Sequence, residues 1–235
     1  MVFITISEQT RLFPQIDLVD FLITLLVLIL SIAVHEFAHA WSAMKLGDRT
    51  AYYQGRVTLD PMAHLEPMGT MMMVFSALTG FGIGWGKPVP VDPRNLRFGP
   101  RVGMAITAAA GPVSNVLQAI VWGIPLRLVF DGALTLPDLL IRALLIAVAI
   151  NLGLALFNLI PLFPLDGFNI LRGALATIRA RWAYDVSDFL DRLQPYAPMV
   201  LLLLIFLDQT MPGQGILSRI LVVPAQRLRN LIIGV

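Results

Sequence analysis

A chain of 235 residues that is 57% hydrophobic and only 14% charged departs from soluble proteins, in which about a quarter of residues are charged; its composition is that of a membrane protein. Seventeen Lys and Arg against fifteen acids leave a net charge of +2, too even a balance for a nucleic-acid partner. The chain has no cysteine, so disulfides, thiolate ligands and thiol nucleophiles are excluded and a bound metal must rely on His, Asp or Glu.

Residues 21–34 are an almost unbroken run of Leu, Ile and Val, and the helical pattern extends from Leu18 to Lys45, with Gly47 as a natural stop. Glu8, Arg11, Asp17 and Asp20 precede it, which does not suit a secretory signal, so a retained first spanning helix is expected. Lys45, Arg49 and Arg56 follow, a basic excess that predicts a cytoplasmic exit and an external amino terminus. Residues 52–60 are β-prone around Gly55 and suggest short strands or a hairpin, an edge suited to an extended substrate.

Residues 68–84 are apolar but short, contain Gly80, Gly82 and Gly84, and lead into Lys87, Arg94, Arg97 and Arg101. With basic flanks on both sides, a re-entrant or interfacial hairpin is expected there, in a position to gate a site. Residues 102–130 and 138–160 are each long enough to span, and the turn between them carries Asp131, Gly132 and Pro137, which predicts an antiparallel pair. Residues 167–182, with Arg172, Arg179 and Arg181 among apolar residues, read as an amphipathic segment at the cytoplasmic interface. Residues 198–207 belong to another crossing, and the tail from Gly215, with Pro224 and three arginines, reads as an interfacial helix or a broken pass.

The expected fold class is therefore an all-α polytopic membrane protein. It is a bundle of about four to six transmembrane helices with a small β-hairpin or re-entrant element near the cytoplasmic face. No internal repeat and no long soluble linker interrupts it, so one integral-membrane domain over 1–235 is expected, with a core of about 18–182 and carboxy-terminal helices of about 185–235. Regulatory or gating modules would then be separate membrane proteins.

At the end of the first apolar run stands His35-Glu-Phe-Ala-His39. On a helix, His35 and His39 lie one turn apart on one face, where two imidazoles can hold one zinc ion while Glu36 acts on a bound water. Counted from Leu18 at 1.5 Å per residue, His35 lies about 26 Å along the axis, near the far edge of a hydrocarbon core about 30 Å thick. Burying three ionisable groups in such sequence costs several kcal/mol unless something offsets it, which favours a metal over mutual hydrogen bonding.

A catalytic zinc usually takes three protein ligands, and the remaining candidates are His64 and Asp166. A helix over 138–160 that returns from outside to inside would bring Asp166 to the level of His35 and His39, which favours Asp166. Its alternative is a cap on the following helix, and an accessory role is left for His64.

His35-Glu-x-x-His39 and Asn158-Leu-Ile-Pro-Leu-Phe-Pro-Leu-Asp-Gly167 together resemble the two hallmarks of the site-2 protease family of intramembrane zinc metalloproteases. Gly111-Pro-Val-Ser-Asn115 resembles a third family element. The resemblance implies that His35, His39 and Asp166 are zinc ligands, that Glu36 is the general base, and that Asn115 and Asn158 bind substrate or orient catalytic groups. It also implies one Zn2+ per chain, transmembrane protein substrates in a lipid bilayer, and a compact bacterial inner-membrane enzyme with its site near the cytoplasmic face. The rival readings are a catalytically silent membrane-binding relative and a metal-ion transporter, which would need a ligand path across the bilayer rather than one cluster.

Overall fold

The computed structural model describes residues 17–79, 84–210 and 215–234. Its helices are α1 (Leu18–Lys45), α2 (Thr50–Tyr53), α3 (Pro67–Thr79), α4 (Pro100–Phe130), α5 (Asp138–Asn158), α6 (Asp166–Ala176), α7 (Arg181–Leu193), α8 (Ala197–Thr210) and α9 (Ile216–Ile233). Among the described residues, four stretches are long and apolar enough to cross a membrane: α1, α4, α5 and Arg181–Asp208, which takes in α7 and most of α8.

The spanning part of α1 is apolar on both its faces, as a bilayer requires. Leu18, Leu22, Leu26 and Leu30 form an exposed stripe along one side of α1, while Ala33, Ala40 and Ala43 on the other side are buried. Small residues let helix backbones approach closely where no hydrophobic gain separates protein from lipid, and Ala108, Ala119, Ala147 and Ala155 serve the same end on α4 and α5. α4 is the central element, packing against α1, α5 and α6, and α9 docks on α4 and α5 where Ile232 fills the space left by Gly123.

One end of this bundle is tied by charge. Asp17 caps α1 by accepting from the Val19 amide at 2.9 Å, and Arg142 of α5 reaches Asp17 at 2.8 Å and Asp20 at 3.2 Å. His35 lies on the opposite half of α1, so the titratable motif and the Arg142 cluster mark different ends of the bundle.

The expected antiparallel pair over 102–130 and 138–160 is present as α4 and α5, and 167–182 contributes the short helix α6. α3 has 13 residues, which span about 20 Å, too little for a crossing, and Gly80 and Gly82 of the expected hairpin lie outside the described residues. The hairpin expected over 52–60 is not formed. Thr50–Tyr53 is one helical turn, Gly55 takes φ +67°, and Tyr52 and Tyr53 are both exposed, so the alternating burial of a strand is missing. Arg56 turns inward and is buried. The one antiparallel bridge among the described residues pairs Leu65 with Gly86, which lies in the non-helical segment 84–92 further along.

The loops at the motif end converge on Asp48, which is fully buried. Its Oδ1 accepts from the Thr50 hydroxyl at 2.6 Å, the Thr50 amide at 3.1 Å and Asn95 Nδ2 at 3.2 Å, while Oδ2 accepts from the Asp92 amide at 2.8 Å. Burial alone would raise this carboxyl, but the hydrogen bonds outweigh it and hold its pKa below the ordinary 3.8. A depressed folded-state pKa stabilises above the unfolded value and loses that contribution as pH falls. Asp48→Ala leaves several buried donors unpaired and should lower stability by about 1–3 kcal/mol, read as an earlier thermal unfolding in detergent. The gap between variant and parent should shrink below about pH 4, where the carboxylate of the unfolded parent takes up protons before that of the folded one.

Candidate metal centre and catalytic cavity

Helical spacing places the two motif imidazoles on one face of α1, with ring centroids 4.6 Å apart, turned towards α4 and α6. Their Nε2 atoms stand 3.0 Å from each other. Asp166 Oδ2 completes the triangle at 3.2 Å from His35 Nε2 and 3.3 Å from His39 Nε2.

These separations test whether a metal fits. Tetrahedral zinc with ligand bonds of about 2.0–2.1 Å holds its ligand atoms about 3.3 Å apart, close to the spacing of this triangle. His39 Nδ1 lies 2.8 Å from the Thr107 carbonyl oxygen, which can only accept, so Nδ1 carries the ring proton and Nε2 presents a lone pair. Asp166 Oδ2 is buried and makes no hydrogen bond of good geometry despite two nitrogens nearby. Lone pairs gathered on one point without a donor between them are what a cation resolves, and a set of two neutral imidazoles with one carboxylate suits zinc. His35, His39 and Asp166 form the one such group among the described residues.

The backbone around the triangle leaves no room for ordinary side chains. A Cβ on Gly111 of α4 would stand 2.4 Å from His39 Nε2 and 2.6 Å from His35 Cε1, so this glycine admits the two rings. Pro112 follows and removes the amide that would bond the Ala108 carbonyl, loosening the turn beside Thr107. On the other side, a Cβ on Gly167 would meet the Leu159 and Ile160 carbonyls at 2.3 and 2.4 Å, so the Asp-Gly pair lets α6 begin against the end of α5. Asp166 opens α6 without capping it: the N-cap residue is Leu165, with no side-chain bond to the helix amides.

A cavity of about 700 Å³ opens onto the triangle, lined by His35, Glu36, His39, Asn158 and Asp166 together with Trp85, Gly86, Pro88 and Val91. Leu201, Leu202, Ile205 and Phe206 of α8 form a further wall. Glu36 is partly buried and sits beside the segment 84–92, since a Cβ on Gly86 would come within 3.4 Å of its Cγ.

Not all the residues expected at the site face it. Asn158 lines the cavity, with its Nδ2 donating to the Leu154 carbonyl at 3.0 Å. Asn115 is fully buried behind His35, its Oδ1 2.6 Å from Nδ1, so it meets the His35 ring and not the cavity. His64 is also fully buried and outside the lining: its Nε2 donates to the Thr58 carbonyl at 2.8 Å, and its own carbonyl accepts from the Lys87 amide at 2.7 Å. Arg56 joins it there, donating to the Lys87 and Pro88 carbonyls, so the pair holds the cavity wall. Two contributors carry no motif. Thr107 acts through a main-chain carbonyl, which no residue pattern reveals, whereas Asn151, a buried amide in the apolar run of α5, was visible as a polar residue inside a span.

Comparison with known proteins bears on the same residues. The model of peptidase family M50 matches residues 123–204, which include Asn158 and Asp166. The chain is 38% identical over 170 residues to the "Putative zinc metalloprotease YwhC" of Bacillus subtilis, an alignment covering 68% of this chain and 71% of that protein. It is 29% identical over 187 residues to Rip2 of Mycobacterium tuberculosis H37Rv, which carries the same description, covering 79% of this chain and 66% of Rip2. No solved structure matches. A match at that identity over more than two thirds of YwhC, together with the family model over the Asp166 region, decides the assignment: the chain belongs to peptidase family M50, the site-2 protease family of intramembrane zinc metalloproteases.

Proposed function

We propose that this protein hydrolyses peptide bonds in or beside transmembrane segments of membrane-protein substrates, with one zinc held by His35, His39 and Asp166 and with Glu36 as general base. The observation that carries the reading is the meeting of three ligand atoms from α1 and α6 at 3.0 to 3.3 Å, in one cavity with Glu36. A transporter would need further ligands along the bilayer, and a silent relative would have no need of a carboxylate beside the ligands.

Zinc, when bound, supplies Lewis acidity: it makes a water nucleophilic near neutral pH and polarises the scissile carbonyl. The chain's own groups do the remaining work. Glu36 takes one proton from the attacking water as the C–O bond forms, then delivers it to the departing amide nitrogen as the C–N bond breaks. In this reading Asn158, which lines the cavity, donates the Nδ2 hydrogen not taken by the Leu154 carbonyl to the developing oxyanion or to the substrate backbone. The apolar walls keep bulk water from competing for these contacts.

A helical substrate has its carbonyls engaged in internal hydrogen bonds and must unwind locally before attack. In this reading the role first expected of 52–60, holding an extended chain, falls to 84–92, which carries the bridge at Gly86, lines the cavity and abuts Glu36. Pro88 and Pro90 have no amide hydrogen to donate to a strand, and Arg56 and His64 hold the Lys87 and Pro88 backbone from behind. Lys45, Arg49, Lys87, Arg94, Arg97 and Arg101 cluster in sequence around the motif end of the bundle, which supports a cytoplasmic level for the site. One domain, a bacterial inner-membrane setting and a separate regulatory or gating membrane protein complete the proposal.

The ligand and base assignments separate in one experiment. Purified protein in liposomes is given a transmembrane fusion substrate, and cleavage and bound zinc are measured together. Glu36→Gln should keep its zinc and lose about a hundredfold or more in rate, and Asp166→Ala should lose the zinc itself. Cleavage at the parent rate by Glu36→Gln would remove Glu36 from the mechanism. Gly86→Val probes the wall: its side chain meets Ile32 and crowds Glu36, so kcat should fall by about a hundredfold with zinc content unchanged. An unaltered kcat would show that the segment beside Glu36 does not set the reacting geometry.

A further inference from the structure

Behind His35, three helices are joined by a chain of buried side-chain hydrogen bonds whose polarity can be read from one end. The Ala147 carbonyl of α5 can only accept. Asn151 Nδ2 donates to it at 2.9 Å and to Ser31 Oγ of α1 at 2.9 Å, which turns Asn151 Oδ1 towards α4. That oxygen accepts from Asn115 Nδ2 at 3.0 Å, so Asn115 must present its Oδ1 to His35 Nδ1, 2.6 Å away. An amide oxygen accepts, hence Nδ1 bears the proton and Nε2 is left as a lone pair at the three-ligand point. The reverse orientation would set amide donor against amide donor and amide oxygen against the Ala147 carbonyl.

Burial makes this polarity binding. Asn115 and Asn151 have no exposed surface and Ser31 has 1%, so water does not take the place of a missing partner. Ser31 precedes His35 by one turn on α1, and the chain thereby closes on the helix it serves. His39 needs no such relay, since a main-chain carbonyl meets its Nδ1 directly.

We propose that Asn151 is a positioning residue for zinc binding, acting through Asn115 to fix the tautomer and ring orientation of His35, with Ser31 as its second acceptor. The proposal rests on the reading that His35 is a zinc ligand, and the test keeps the two apart.

Zinc affinity is measured by competition with a chromophoric chelator, and the ligand field by the visible absorption of the cobalt-substituted protein. Asn151→Leu should weaken zinc binding by about 10- to 100-fold and shift the cobalt bands. In an Asn115→Leu background the same change should add less than about twofold, because the path through Asn115 is already cut. Asn151→Asp, whose protonated carboxyl can accept from Asn115 and donate to Ala147, should stay within about threefold of the parent. Should the leucine variant fail to fold, Asn151→Ser carries the same expectation of loss, its hydroxyl being taken by the Ala147 carbonyl and too short to reach Asn115. Parental affinity in a folded Asn151→Leu or Asn151→Ser protein, or an undiminished loss in the Asn115→Leu background, overturns the proposal. His35→Ala with parental affinity would instead overturn the ligand reading beneath it.

Discussion

Three lone-pair donors are held against one another inside an apolar bundle, and the rest of the structure depends on that arrangement. Moving ionisable groups into such surroundings costs several kcal/mol each unless they are paired. Here the two Nε2 atoms and one carboxylate oxygen meet at about the edge length of a zinc tetrahedron, with each imidazole proton already committed elsewhere. A metal turns this repulsive focus into a stable one. The enzyme's chemistry and the folding of its motif end therefore rest on the same contact.

Helix packing is shaped around that focus. Gly111 gives the imidazoles the space of a missing side chain, and Gly167 lets α6 start where Asp166 can reach them. Alanines on α1, α4 and α5 bring three backbones close enough for Ser31, Asn115 and Asn151 to form one continuous relay. On the cavity side the construction differs. A non-helical segment braced by Arg56 and His64 faces the His35–His39–Asp166 cluster, with apolar residues of α8 as a further wall. Buried hydrogen bonds behind the cluster and an open cavity in front of it suit the proposed protease, which must hold its metal firmly yet accept an unwound chain.

Much of the site was legible because its spacing is local. His35, Glu36 and His39 declare themselves within one turn, and the spanning helices follow from hydropathy, so α1 appears in the sequence with the bounds seen in the structure. Depth favoured Asp166, since a returning helix would bring it to the same level, and its alternative as a helix cap is removed by Leu165 standing at the N-cap. What stayed hidden depends on contacts rather than on residue type. Tyr52 to Asp60 has strand-like composition but forms no ladder, whereas the cavity wall, with its two prolines, reads in the sequence as loop and shows its role only by lining the cavity. Arg56 counts as a loop cation in the sequence yet is buried against carbonyls, and His64, a candidate for chemistry, serves as a brace. Thr107 contributes only its carbonyl, which any residue could supply.

X-ray absorption at the zinc edge of the purified protein tests the central claim most directly, because it reads the ligand atoms without reference to turnover. One zinc per chain with scattering from two imidazoles and an oxygen shell, all at about 2.0–2.1 Å, is the predicted result. A single-imidazole or three-imidazole spectrum, or a protein that retains no zinc after purification without chelators, would contradict the account.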